Sequence, residues 1–430
     1  MPPGRRTEPR EASSNGPIFL YFGPLTLLVW LAMPHGYFLD IATSYMLKNQ
    51  LHASVTQVST FRLLTALPVY ASFLFGMARD LWNPFGLKDR GFLLLFAPLS
   101  AALFLWMAFA PLTDASLFGG MLLAMISFRF VTAAYWGLLA LVGQEHLMSG
   151  RLSVLWNLVS TLPYIAGAFF SGYLTEHLPP SRIFLLASAL ALLIVLPGLW
   201  KPQAVFARLY DQPLAHGAGL LGDMKRLVKH RAAYPAVLIA FLFYFSPGSN
   251  TPLQFYLTDV LHASDAVYGY YYAIFFVAFF PMYFLYAYLC RRVSLRKLLW
   301  WGTLITIPQM MPLALVHSAS QALWMAVPIG LMGGIAITAY YDLAMRSCPA
   351  GLQGTLMMIV DGVYLLSYRG SDVLGSWIYT SSPAHGLLYC VLVTAAVYAL
   401  ILPVLLLVPK ELISTPDGEP PPYRHALKRK

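Results

Sequence analysis

The sequence predicts an all-α membrane protein of twelve transmembrane helices, arranged as two pseudo-symmetric six-helix bundles. Of its 430 residues, 58% are hydrophobic and only 11% are charged, whereas a soluble domain carries about 25% charged residues. Apolar runs of roughly 20 residues recur along the chain, which is the length that an α-helix needs to cross the hydrocarbon layer. A polar stretch near the middle divides these runs into two sets of six.

The twelve predicted helices follow one another with mostly short loops between them. They cover residues 17–45, 55–78, 91–112, 115–142, 152–175, 182–199, 233–258, 266–289, 298–316, 321–345, 354–379 and 385–408. The first run is too long for a secretory signal and lacks a cleavage site, so we expect it to remain as a helix. The predicted organisation is therefore an N-terminal tail (1–16), a first bundle (17–200), a central loop (201–232), a second bundle (233–408) and a C-terminal tail (409–430).

An internal repeat supports the division into two bundles. The tetrapeptide Leu51-His52-Ala53-Ser54 after the first helix recurs as Leu261-His262-Ala263-Ser264 after the seventh, at an offset of 210 residues. Both copies follow a helix that Pro and Gly interrupt, at residues 34–36 and 247–248. Duplicated halves of this kind place a binding site between them, near the middle of the membrane.

The net charge of +10 reflects membrane topology rather than nucleic-acid binding. Among the 28 Lys and Arg residues, Lys48 and Arg182 alone fall in the loops of one side, and three more lie within predicted helices. All others lie in the two tails and in the loops of the opposite side. Because basic residues accumulate on the cytoplasmic side, we expect a multi-pass protein of the inner membrane with both termini in the cytoplasm.

The loop after the second helix resembles the signature of the major facilitator superfamily. Gly76 and Asp80 stand four residues apart and are followed by a basic cluster that includes Lys88 and Arg90. The resemblance implies the major facilitator fold. It also implies that Gly76, Asp80, Lys88 and Arg90 form a conformational latch on the cytoplasmic side, where a carboxylate near helix ends is released when that side opens.

Three stretches resemble the folate-biopterin transporter family more narrowly. They are residues 67–90 with Leu67-Pro68 and Gly86, residues 243–297 with Ser246-Pro247 and Phe255-Tyr256-Leu257, and residues 348–356, which open the eleventh helix. The chain departs from that family at Ser72 and Phe73, where the family has Lys and Pro, and at Leu138-Leu139-Ala140, where it has an acidic residue. The resemblance implies transport of a pterin-like or folate-like solute, and these departures concern groups that could hold such a solute or a proton.

Several charged side chains lie at membrane depth, where each costs roughly 2.5–3.5 kcal/mol to insert and therefore needs a partner or a water-filled cavity. The candidates for substrate binding or proton coupling are Asp40, Arg129, Asp361, Arg369 and Asp372. Asp361 and Asp372 share one helix face because about 100° per residue leaves them roughly 20° apart. Arg369 and Asp372 can form an ion pair at i,i+3, either as part of a coupling site or as a permanent clamp.

Two further charges at membrane depth have other expected roles. Asp342 lies near the inner end of the tenth helix, and Arg62 is expected to extend outward from the end of the second. Trp136, Asn250 and Gln254 complete the candidate site, because aromatic and amide groups stack on and hydrogen-bond a planar, polar ligand. Asn250 and Gln254 are i,i+4 neighbours directly after the break at Pro247.

The sequence contains no catalytic constellation. It has no nucleophile-elbow spacing and no GxxxxGK[ST] motif for ATP-driven pumping, and its three Cys lack metal-ligand spacing. We therefore expect neither an enzyme nor a bound cofactor or metal, but a monomer in the lipid bilayer. Its expected function is secondary active transport of a small polar organic solute by alternating access, coupled to protons. The alternatives are a permease for muropeptides or sugar-like solutes and a non-transporting assembly factor for pigment-protein complexes.

Overall fold

The computed structural model describes residues 15–207, 220–382 and 385–420. In this part of the chain all regular structure is helical. Twelve long helical segments, α1 to α12, form two halves of six, which confirms the fold class. Seven helical spans within the described residues are long and apolar enough to cross a membrane, and two shorter apolar helices, Gly16–Ala32 and Ala233–Tyr244, open the two halves.

The first half contains α1 to α6. Its first two helices are divided, α1 once and α2 twice, in the regions where Pro34, Gly36 and Pro68 interrupt the regular backbone ladder. The bounds are α1, Gly16–Ala32 and Tyr37–Tyr45; α2, Val55–Thr65, Leu67–Tyr70 and Ser72–Leu81; α3, Asp89–Phe109; α4, Asp114–Glu145; α5, Ser149–His177; and α6, Pro180–Leu193 and Val195–Leu199. Short helices at Gln203–Phe206 and Leu220–Lys229 follow in the central loop.

The second half contains α7 to α12 and repeats this pattern of broken and continuous helices. The bounds are α7, Ala233–Tyr244 and Thr251–Phe255; α8, Asp265–Ala278 and Phe280–Leu289; α9, Leu295–Thr306; α10, Ala319–Arg346; α11, Gln353–Ser381; and α12, Gly386–Ala399 and Ile401–Leu406. A final turn, Lys410–Ile413, follows α12. The helices differ from the predicted ranges mainly at these breaks, which the hydropathy pattern could not locate.

The tetrapeptide repeat is also a repeat of backbone structure. Each copy follows a five-residue π-helix, Met46–Gln50 in the first half and Tyr256–Val260 in the second. His52 and His262 both have positive φ, at 52° and 51°, which is uncommon for residues other than glycine. Ser54 and Ser264 then precede the next helix as N-caps. The two halves therefore share a local conformation as well as a sequence.

The halves pack against each other through two sets of helices that the repeat relates. In one set α2 and α4 of the first half lie against α11 of the second, and in the other set α5 of the first half lies against α8 and α10 of the second. The alternation of helices places the start of α1, the loops after α2, α4, α6, α8 and α10, and the segment after α12 on one side of the bundle. We call this side the terminal side.

Candidate functional site

A cavity lies between the two halves and is lined by residues of both. Its empty volume is about 1300 Å³, including the space at its mouth. The lining is rich in aromatic residues. It includes nine tyrosines, one from α5 and eight from the second half: Tyr164, Tyr244, Tyr271, Tyr272, Tyr283, Tyr341, Tyr364, Tyr368 and Tyr398. A concave site with many aromatic groups and few polar ones is the usual form of a small-molecule site.

Three tryptophans and a tyrosine form an aromatic floor beneath the cavity. Trp136 of α4 packs against Trp30 and Trp156, with ring centroids 5.7 and 5.0 Å away. Across the interface Tyr341 of α10 lies parallel to Trp136 at 5.5 Å and 4.0 Å from Trp156. The predicted site residue Trp136 thus lies in the floor, and Trp30, Trp156 and Tyr341 are the members of this group that line the cavity.

Asn250 organises the hydroxyl groups on the second-half wall. Its Oδ1 accepts hydrogen bonds from Tyr272 and Tyr368, both at 2.8 Å. Its Nδ2 is buried and has no hydrogen-bond partner among the described residues, and the same holds for Trp156 Nε1 and Gln309 Oε1. Buried polar groups are rarely left unpaired, so these two donors and one acceptor mark the cavity wall as a place for a polar ligand or for water.

An ion pair between the two halves lies at the wall of the cavity. Arg129 Nη1 of α4 donates to Asp361 Oδ2 of α11 at 2.6 Å. The Arg129 side chain is 1% exposed and that of Asp361 is 17% exposed, and Asp361 lines the cavity. Ser72 of α2 lies 3.4 Å from the same guanidinium nitrogen. The structure therefore brings two of the predicted charges together at the interface.

The other predicted charges lie elsewhere. Asp40 forms an ion pair with Arg62 at 2.9 Å, with side chains 32% and 37% exposed, so Arg62 turns to α1 rather than extending outward. Asp372 accepts from the backbone N–H and the hydroxyl of Thr251 at 2.9 and 2.8 Å. These bonds cap the second segment of α7 after its break.

The predicted pairing of Arg369 with Asp372 is not formed. None of the ion pairs among the described residues joins them, because both oxygens of Asp372 bind Thr251 while Arg369 is exposed beside the ring of Tyr368. Gln254 is also exposed. It does not share the position of Asn250, since Asn250 precedes the helical segment and has non-helical φ and ψ.

Asp80 joins the two halves at the terminal side. Its carboxylate accepts from the backbone N–H groups of Gly354 and Thr355 at 3.1 and 2.7 Å and from the Thr355 hydroxyl at 2.6 Å. These groups open α11, where unpaired N–H groups and the helix dipole favour an anion. Gly76 permits the approach, since a Cβ there would lie 2.5 Å from the Gly354 oxygen. Arg79 donates to Asp80 at 2.8 Å.

The two basic members of the predicted latch have partners within the first half. Arg90 donates to the carbonyl oxygens of Gly198 and Leu199 at the end of α6, both at 2.9 Å. Lys88 precedes α3, and its backbone N–H donates to Asn83 Oδ1. Arg79, which also pairs with Asp89, therefore takes the position beside Asp80 that the sequence assigned to the later basic cluster. Arg79 directly precedes Asp80 in the same helical segment.

A histidine and a glutamine are among the cavity residues that were missed from the sequence. His35 lies at the break in α1, and Gln309 follows α9. The break at Pro34 gave a signal for His35, because irregular backbone at membrane depth is tolerated where it faces a cavity. Gln309 gave none, since a lone amide near a helix end is indistinguishable from a packing residue.

Together these features define a membrane protein with a solute-sized cavity between two related six-helix halves, closed at one side by contacts between them. The family model for the major facilitator superfamily matches residues 25–368. The chain therefore belongs to the major facilitator superfamily.

Curated relatives and solved structures agree with this assignment. Folate transporter 2 of Plasmodium falciparum (isolate 3D7) is 21% identical over 336 residues, covering 75% of this chain and 72% of the relative. The folate-biopterin transporter of Synechocystis sp. (strain ATCC 27184 / PCC 6803 / Kazusa) is 23% identical over 395 residues, covering 86% and 78%.

Among solved structures, the transporter FucP in the outward conformation has a TM-score of 0.67 at 14% identity, covering 91% of this chain and 98% of the other. Another structure of the same protein, described as the E. coli fucose:proton symporter, has a TM-score of 0.65 at 15% identity, with the same coverage. The human organic anion transporter TETRAN has a TM-score of 0.60 at 14% identity, covering 90% and 98%.

Proposed function

We propose that this protein is a secondary active transporter that moves a pterin-like or folate-like solute across the membrane by alternating access, coupled to the movement of protons. The observation that carries the proposal is the Arg129–Asp361 ion pair, which joins the two halves at 2.6 Å on the wall of the central cavity. In an alternating-access cycle the halves rock around a fixed site. A charged contact across that site therefore changes with the cycle.

The cavity favours a planar, polar solute. Tyrosine and tryptophan rings supply faces on which an aromatic ring stacks, and Asn250 Nδ2, Gln309 Oε1 and Trp156 Nε1 offer unpaired donors and an acceptor. A pterin ring combines flat faces with donors and acceptors along its edges. The two curated relatives are named for folate and for folate and biopterin, which supports the same solute class.

Asp361 is the group that we assign to proton coupling. It faces the cavity while Arg129 lies behind it, buried. Protonation removes the charge of the carboxylate and leaves Arg129 without its counter-ion, which weakens the contact between α4 and α11. An anionic solute group can compete for Arg129 at that stage. FucP, which has the same fold, is described as a proton symporter.

The other predicted sites take supporting positions in this proposal. Asn250 orients the hydroxyls of the solute wall, Trp136 belongs to the floor that separates the cavity from the terminal side, and Asp80 holds that side closed. Asp372 and Asp40 stabilise the second segment of α7 and the α1–α2 contact. Arg369 and Gln254, which the sequence predicted for substrate binding or proton coupling, are exposed and do not line the cavity.

The membrane orientation follows from the distribution of basic residues, which lie mostly in loops of the terminal side. We propose that this side faces the cytoplasm of a cell with an inner membrane, and that the functional unit is a monomer. The corresponding divisions are a tail (1–16), two bundles (17–200 and 233–408), the loop between them (201–232) and a second tail (409–430).

Reconstitution in proteoliposomes tests the proposal. With a pH-sensitive dye inside, addition of biopterin or folate is expected to produce solute-dependent proton movement, whereas a muropeptide or a sugar is not. Asp361→Asn is expected to abolish accumulation driven by a pH gradient while leaving solute exchange between the two sides. Asp40→Asn is the matched control, because it removes another Arg-paired carboxylate that does not line the cavity.

Three results would count against the proposal. Proton movement with sugars alone would favour the sugar permease, and none with any solute would favour the assembly factor. Wild-type accumulation by Asp361→Asn would remove the coupling role from this residue.

A further inference from the structure

The two halves differ at the position that holds Asp80 in the first half. The offset of 210 residues that relates Leu51 to Leu261 relates Asp80 to Cys290, at the end of α8. A thiol there cannot supply the carboxylate that caps a helix across the interface. The helix that corresponds to α11 in the other half is α5, and Cys290 supplies no anion to its first turn.

Local geometry supports this correspondence. Gly354 and Gly150 are the second residues of α11 and α5. A Cβ added at Gly354 would lie 2.8 Å from Asp80 Oδ1, and one added at Gly150 would lie 3.2 Å from Cys290 Cβ. In both halves, therefore, the residue at the end of the related helix faces a glycine at the start of the partner helix.

Asp417, from the segment after α12, supplies a carboxylate at this place. Its Oδ1 accepts from the backbone N–H of Gly150 at 3.1 Å, and its Oδ2 accepts from Arg151 Nε at 2.7 Å. Its own backbone N–H donates to the Cys290 oxygen at 2.7 Å. Asp417 therefore binds the first turn of α5 in one half and the end of α8 in the other.

Further contacts seat the same segment in the interface. Gly418 donates its N–H to the Leu147 oxygen of the first half at 2.7 Å, and Arg346 of α10 donates to the Thr415 oxygen at 3.1 Å. Arg346 also pairs with Asp342 at 2.7 Å. Burial and the nearby Asp342 raise the pKa of the Asp417 carboxyl, and Arg151 acts to lower it.

We propose that residues 414–418 form a second latch, in which Asp417 replaces the carboxylate missing at Cys290 and must leave the start of α5 before the terminal side can open. Asp80 and Asp417 then hold the two related contacts, α2 with α11 and α8 with α5. The inference rests on the alternating access proposed above. It adds that a segment outside the twelve helices takes part in closing one side.

Labelling of Cys348 with a maleimide tests the second latch. Cys348 is buried at the terminal side, where its carbonyl oxygen accepts from Gln144 of the first half, so its reactivity reports opening. With Cys390→Ser and Cys290→Ala as background, Asp417→Asn is expected to raise the labelling rate about tenfold, because hydrogen bonds to charged groups are lost. Glu419→Gln, which removes an exposed carboxylate directly after this segment, is expected to leave the rate unchanged.

A rescue separates a capping role from general destabilisation. Cys290→Asp returns a carboxylate to the position related to Asp80, so combined with Asp417→Asn it is expected to restore the slow rate. Arg151→Gln, whose side chain is 17% exposed, gives a milder weakening of the same contact if Asp417→Asn does not fold. It is expected to raise the rate by a smaller factor.

The outcomes also separate this inference from the proposed transport cycle. If Asp80→Asn raises the rate and neither Asp417→Asn nor Arg151→Gln does, the second latch is refuted and the cycle stands. If Asp80→Asn also has no effect, opening at this side is refuted altogether. Faster labelling in Asp417→Asn that Cys290→Asp fails to reverse overturns the claim that the carboxylate acts as a cap.

Discussion

Replacing Asp361 tests how much the ion pair between α4 and α11 contributes to stability. Arg129 Nη1 bonds to Asp361 at 2.6 Å, and its Nε and Nη2 atoms are buried without a partner among the described residues. Asp361→Asn therefore leaves a buried guanidinium without a counter-ion, for which the expected loss of unfolding free energy is about 3–5 kcal/mol. Arg129→Met leaves instead a carboxylate that the cavity partly exposes, and the expected loss is about 1–3 kcal/mol.

A double-mutant cycle measured by equilibrium unfolding in mixed micelles isolates the pair. Arg129→Met with Asp361→Asn removes both charges, so the double variant is expected to recover most of the loss, with a coupling energy of about 2 kcal/mol or more. The matched control is Arg62→Met with Asp40→Asn. This pair is about one-third exposed on each side, and its expected coupling is below about 1 kcal/mol. Additive losses at Arg129 and Asp361 would refute the assigned interaction.

Three further substitutions address the latch, the wall and the break in α7. Gly76→Ala is expected to speed labelling of the buried thiol on the terminal side, because its Cβ would meet the α11 backbone; Gly119→Ala, with open space around it, is expected to have no effect. Asn250→Ala is expected to raise the KM for solute uptake, because the Tyr368 hydroxyl loses its Asn250 acceptor and the Tyr272 hydroxyl is left with the Ser249 oxygen, whereas Gln254→Ala is not. Asp372→Asn is expected to lower the unfolding free energy by about 1 kcal/mol through loss of a helix cap.

Each of these expectations has a clear contrary result. Equal labelling of the two glycine variants would mean that the α2–α11 contact adapts to a methyl group. Equal KM values for the two amide variants would remove Asn250 from the solute wall. Abolished accumulation by Asp372→Asn at unchanged stability would return that carboxylate to the coupling site, where its depth first placed it.

The sequence predicted the twelve helices and their pairing into halves because hydropathy and repetition are properties of the chain itself. The repeat at Leu51 and Leu261 corresponds to equal backbone turns, including a positive φ at His52 and His262. Helix ends were less accurate, since a proline breaks a helix only where neighbouring groups satisfy the freed backbone atoms. Those neighbours come from other helices and cannot be read locally.

The site could be predicted in part, because the cost of burying a charge identifies residues that need a partner but does not identify the partner. Asp361 and Arg129 were both found by depth, yet they lie 232 residues apart, and periodicity along one helix pointed to Arg369 and Asp372 instead. The partner of Asp372 is Thr251, which lies on another helix, directly after the break in α7. Long-range packing decides between such alternatives, and a single sequence does not contain it.

Among the described residues, three carboxylates bind the first turn of another helical segment, and the role of each depends on whether that segment can move relative to the carboxylate. Asp80 binds α11, Asp417 binds α5, and Asp372 binds the second segment of α7. The first two contacts join different halves, so a rocking motion must break them. The third lies within one half and moves with it as a unit. All three are aspartates that accept a backbone N–H at the start of a helical segment, so a gating contact is distinguished from a structural one by which bodies it connects.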